Sequence, residues 1–214
     1  MTSDVVRDKI RLGFLTTVQT SEGSFIGGLL VTNHLGRPLE FQCTTPIKPN
    51  ATQQILYGPT LKPFLLGELI SKTLVERAGV APDILLTEQE EVLELRPHVR
   101  IPVCLISQAE RVKKTIADDS KPAQELSVTA DASSSVNAAH ADQLSLSSQS
   151  SEQAAPEKRV RLGKQWLRFH GSHNDDHAKV TESSKMIPHD ADLLEPFERV
   201  REALLEASRN GAGR

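Results

Sequence analysis

Between Asp118 and Glu157 the chain changes character. These forty residues hold ten Ser, eight Ala and four Gln, with no aromatic residue and no Gly, and their large apolar residues number five: Leu126, Val128, Val136, Leu144 and Leu146. Ordering a backbone costs roughly 1–2 kcal/mol per residue, and a stretch this polar has too little apolar surface to offset that cost. Composition therefore predicts three parts: an α+β core over residues 1–117, a disordered Ser/Ala/Gln-rich tether over 118–157, and a C-terminal part over 158–214 that returns to complete the core. A long insertion is no obstacle to this, because loop closure costs only about 0.6 kcal/mol per doubling of length. The rival arrangement is a folded domain followed by a separate helical tail.

The net charge of −3 is spread without any strongly basic segment: residues 158–214 carry eleven Lys/Arg against nine Asp/Glu, and 1–108 carry ten against eleven. A dedicated nucleic-acid binder is not expected from that balance. No apolar run approaches the roughly 18 residues that span a bilayer. The N-terminal Met1–Lys9 alternates charge and has no apolar h-region. Two Cys in such a chain point to free thiols and a reducing compartment, so the expected address is cytoplasmic.

Three antiparallel strands are the clearest local pattern. Ile10–Gln19 and Ser24–Val31 are rich in β-branched, aromatic and Leu residues, and Ser21-Glu22-Gly23 turns between them. Asn33 and Gly36 make a second turn, leading into Leu39–Thr44, which alternates at period two. That alternation assigns Leu39, Phe41 and Cys43 to a core face and Glu40, Gln42 and Thr44 to solvent. Gly27-Gly28 interrupts the second strand and implies a bulge or close packing. Pro46 and Pro49 end the meander.

Asn50 caps a short helix to Leu56, and Thr60 starts a longer one ending near Gly79, with Leu61, Phe64, Leu65, Leu69, Ile70 and Leu74 as its apolar stripe. Asp83–Leu86 and Arg100–Ile106 read as strands flanking a helix from Glu88 to Leu95, a β-α-β unit whose strands should be parallel. Past the tether, Val160–Phe169 is expected to form one strand. Ala191–Ser208 has the spacing of an amphipathic helix, with Leu193, Phe197, Val200 and Leu204 on one side. The sum is an α+β fold: a mixed, mainly antiparallel sheet opening on a three-strand meander, helices packed on one side, a long insertion and a C-terminal amphipathic helix. At the level of fold alone, the meander with packed helices resembles small sensor or scaffold domains of the PAS, GAF or roadblock kind.

Candidate chemistry is sparse. His170-Gly171-Ser172-His173-Asn174-Asp175-Asp176-His177 supplies metal-type ligands in His170, His173, Asp175, Asp176 and His177. It has a superficial likeness to the His-x-His-x-Asp-His loop of metallo-β-lactamase-type hydrolases. Aligning Asp176-His177 puts Asn174 and Ser172 where His is required, and only 37 residues follow. That family is rejected, and the string is expected to be a polar loop without metal. His34 with Cys43 suggests an imidazole–thiol pair, set against the burial that alternation assigns to Cys43. Cys104 sits in an apolar strand. Glu40 lacks a second acid nearby and reads as a surface charge. Lys158–Phe169, with Trp166 and Phe169 among basic residues, reads as a basic edge strand rather than a nucleic-acid grip. No phosphate-binding glycine motif is present.

No acid, base and nucleophile form a set, so catalytic residues stay unassigned and no cofactor is expected. The function expected is a non-catalytic regulatory or interaction domain, sensor- or scaffold-like. An enzyme whose site joins the 170–177 loop to the Asn33–Glu40 turn is the alternative, and weak nucleic-acid binding through 158–169 is the third. A partner, either another protein or a second copy, is expected to use Leu193, Phe197, Val200 and Leu204 if that stripe is not buried on the sheet.

Overall fold

The computed structural model describes residues 10–107, 159–173 and 175–211. The tether and its expected disorder lie outside the described residues. Seven strands share one sheet: β1 (Arg11–Gln19), β2 (Phe25–Asn33), β3 (Pro38–Cys43), β4 (Ile84–Thr87), β5 (Val103–Ser107), β6 (Val160–Leu162) and β7 (Gln165–Phe169). Their order is β3-β2-β1-β4-β5-β7-β6. The β1–β2–β3 meander is antiparallel, β4 lies parallel to both β1 and β5, and β7 pairs antiparallel with β5 and β6. The sheet is thus mixed and mainly antiparallel, in an α+β layout. Among the described residues no helix is long and apolar enough to cross a membrane.

The helices divide between both faces, where one side was expected. A central strand buried on both faces needs two covers, and β1 and β2 are such strands: Leu12, Phe14, Ile26 and Leu30 enter one core, and Leu15, Leu29 and Val31 the other. The first core is roofed by α3 (Asp176–Ser184) and α4 (Glu195–Gly211). The second is roofed by a π-helical stretch (Pro63–Ser71), by α2 (Lys72–Arg77) and by a 3-10 helix (Glu90–His98).

Gly27 and Gly28 explain how both covers come so close. Successive strand residues point to opposite faces. A Cβ on Gly27 would run into Ile70 Cγ2, and one on Gly28 would meet Val200 Cγ1 at 2.8 Å. One glycine admits each layer. The irregularity in β2–β3 pairing sits at Val31/Thr32 instead.

The stripe Leu193, Phe197, Val200 and Leu204 is buried against the sheet, and the Phe197 ring meets Phe14 edge-on with centroids 5.4 Å apart. Those four side chains are therefore not available to a partner, which corrects that expectation. Other corrections have local causes. Residues 160–169 form a hairpin rather than one strand, because Gly163 takes a φ of 56° and turns the chain between Leu162 and Gln165. The helix expected from Thr60 is wound as a π-helix over Pro63–Ser71, with the Ser71 hydroxyl donating to the Leu66 carbonyl. That winding buries Leu66 and leaves Leu69 exposed.

β3 inverts its expected faces. It is an edge strand, and α4 does not reach over Leu39 and Phe41, which stay 45% and 40% exposed. Cys43 is exposed as well, whereas Cys104 is buried, and neither is in a disulfide.

Truncating Phe197→Ala in the full chain should destabilise the fold by about 3–5 kcal/mol, the cost of emptying a core aromatic site. Denaturant unfolding measures this. A loss within about 0.5 kcal/mol, typical of surface positions, would contradict the packing described.

Candidate functional site

The His-rich string leads straight into α3 and disperses its ligands. Asp176 is fully buried and takes a two-pronged ion pair from Arg96, whose Nη2 donates to Oδ1 at 2.9 Å while Nε donates to Oδ2. The same guanidinium donates through Nη1 to the Val99 carbonyl at 2.8 Å. The His177 ring packs on Phe169 at 5.8 Å. His170 and His173 stay together, Nδ1 to Nδ1 at 3.4 Å, with Glu94 4.0 Å from His170 Nε2. Asp175 immediately precedes α3. Among the described residues no three His, Cys, Asp or Glu side chains converge as a metal site.

Asp176 is thus a structural counter-ion, joining α3 to the helix before β5 across the insertion. Removing one partner of a buried pair strands the other charge, at a typical cost of 3–5 kcal/mol. The pair also borders Cys104. Burial pushes that thiol far above its ordinary pKa, the Asp176 carboxylate adds to the rise, and Arg96 partly opposes it. These influences favour the neutral thiol of Cys104, which is wholly buried.

The other sequence candidates are separated too. The 170–177 loop follows β7 and the Asn33–Glu40 turn joins β2 to β3, with β2, β1, β4 and β5 lying between β7 and β3. At about 4.8 Å per strand the two cannot share a small-molecule site. His34 and Cys43 part as well. His34 lines a cavity of about 290 Å³ at the start of α4, beside Asp190, Glu195 and Arg199. Cys43 lines another of about 530 Å³ near the α4 end, with Ala207 and Ser208.

In the first cavity, Arg199 is committed to the Gly36 carbonyl at 3.2 Å and to Glu195 at 2.8 Å. His34 Nδ1 is buried there with no partner among the described residues. The second cavity lies between the β1–β2 turn, the segment after β3 and α4, with Ile26, Pro46 and Ala207 as its apolar members.

Glu40 has a role that sequence reasoning missed. Its carboxylate accepts from Gln42 Nε2 at 2.7 Å and from the backbone amides of Gly79 and Val80 at 3.0 and 2.5 Å. Gln42 also donates to the Arg77 carbonyl at 3.0 Å. The polar face of β3 thus holds the segment that leaves α2. These bonds, with Gln42 first and then Gly79 and Val80, lower the Glu40 pKa below the usual carboxylate value.

The least expected surface is an arm. Helix α1 (Ala51–Tyr57) is closed at its start by an Asn50/Gln53 capping box, and it has no buried residue. Every residue from Ala51 to Thr60 is exposed. Ile55 and Leu56 are 79% and 77% exposed, and Tyr57 touches the body by stacking on Phe64 at 4.8 Å. One signal was present in the sequence. Ile55, Leu56 and Tyr57 are consecutive on a short helix between Pro49 and Gly58-Pro59, so they point around the helix rather than to one core.

On the other edge, β6–β7 sets Arg161 opposite Trp166, and Arg168 pairs with Glu90 at 2.8 Å. Compared with known proteins, the chain matches no family model and no curated protein.

Glu40→Gln should lower the melting temperature at neutral pH. A carboxylate whose folded pKa is depressed stabilises above its unfolded pKa, near 4.3, and loses that contribution as pH falls through the folded value. Wild type and variant should therefore converge in thermal scans as pH drops below about 4. A difference that stays constant across that range would contradict the clamp.

Proposed function

We propose that this chain is a non-catalytic interaction domain and that the α1 arm, residues 51–60, is its docking element. The observation carrying this is the arm itself, a capped helix with Ile55 and Leu56 held in water. A seven-residue helix is too short to be stable alone. Two adjacent large aliphatic residues exposed together form an apolar patch of the kind that marks an interaction site. The dispersal of the candidate catalytic groups supports the same reading, since His34, Cys43 and the 170–177 loop share no cleft. The two unpaired cysteines fit a cytoplasmic address.

The test is photo-crosslinking in cells, with a photoreactive amino acid at position 55 of the full chain and a control at exposed Lys179. Position 55 should yield one or a few discrete adducts that the control lacks. Adducts no different from those of the control would contradict the reading.

A further inference from the structure

We infer that the α1 arm docks on a lipid surface, seating Ile55 and Leu56 at the headgroup–acyl boundary of an anionic bilayer. This rests on the interaction reading above and names the partner. The contact is with one leaflet: among the described residues no helix is long and apolar enough to cross a membrane.

The direction of the side chains favours lipid over a protein groove. Ile55 and Leu56 are consecutive on α1, so they project roughly 100° apart. A groove receives one face of a helix, through anchors three or four residues apart. Three and four positions before this pair stand Ala51, Thr52 and Gln53, which build no such stripe. A bilayer boundary surrounds what enters it and needs no single face.

Charge agrees. Residues 51–60 carry none, and residues 41–67 hold no Asp, Glu or Arg. The exposed Lys48 and Lys62 bracket the arm, a pattern that an anionic surface attracts. Polar groups within the arm are turned on its own backbone. Asn50 and Gln53 exchange the capping bonds, Gln54 donates to the Pro49 carbonyl, and the Thr60 hydroxyl donates to the Tyr57 carbonyl. Such bonds keep backbone groups satisfied where water is scarce. Tyr57, stacked on Phe64, carries the apolar ring and polar tip that suit headgroup depth.

Cosedimentation of the full chain with vesicles tests this, using phosphatidylcholine and phosphatidylserine in equal parts against phosphatidylcholine alone. The chain should pellet with the mixed vesicles, and Ile55→Asp/Leu56→Asp should weaken that binding at least ~100-fold with the melting temperature unchanged. Lys48→Gln/Lys62→Gln should weaken it about 30-fold. In Ile55→Trp combined with Trp166→Phe, brominated acyl chains should quench the indole, and adducts of a photoreactive residue at 55 should be phospholipid.

A wild-type chain that stays in the supernatant, or binding that survives the Ile55/Leu56 double variant, would overturn the lipid assignment. Discrete protein adducts from position 55 would then leave the interaction reading standing, with a protein as its partner. No vesicle binding, together with position-55 adducts no different from those of the Lys179 control, would remove both.

Discussion

The seating of α4 on the β1–β2 pair is the contact on which the rest of the structure depends. It places Phe197 against Phe14 and Val200 against Gly28, more than 160 residues apart in sequence, and it covers a sheet face that would otherwise stand in water. Each such side chain buried is worth roughly 1.5–3 kcal/mol. A second tie across the insertion, the buried Arg96–Asp176 pair, fixes α3 in the same layer. A third is the ladder of β7 on β5. The described C-terminal residues are therefore part of the fold's core, with the insertion leaving after β5 and returning before β6.

Much of this was legible because period and chemistry agreed. The meander from Ile10 to Cys43 follows from alternation and two turns, and the α4 stripe follows from steps of four, three and four. The β4–β5 pair is parallel, as a β-α-β unit requires. What failed did so where periodicity fixes a face but says nothing about what covers it. Leu39, Phe41 and Cys43 do share a face, but the strand lies at the edge, beyond α4, while Glu40 and Gln42 turn to the backbone around α2. Gly27-Gly28 announced close packing without revealing that each glycine serves a different layer.

Spacing in the sequence did not reveal where the candidate residues would be placed. The His/Asp string looked like a ligand set because its residues are near in sequence, but a helix start sends Asp176 inward and leaves His177 against Phe169. The arm escaped for the opposite reason. A capped helix with apolar residues is ordinarily read as core, and only its position outside the sheet shows Ile55 and Leu56 unburied. Covers on both faces of the sheet leave the α1 arm as an exposed apolar surface, on which the interaction proposal rests.

Native-state hydrogen exchange on the full chain tests the central claim, that the returning chain and the meander are one cooperative unit. Amides of α4 from Val200 to Leu204 and those of β1 and β2 around Phe14 and Leu29 should be the slowest. They should also share a single opening free energy, equal to that of global unfolding. Exchange of the α4 amides orders of magnitude faster than those of β1, with the sheet still protected, would show a docked tail and contradict the fold's dependence on α4.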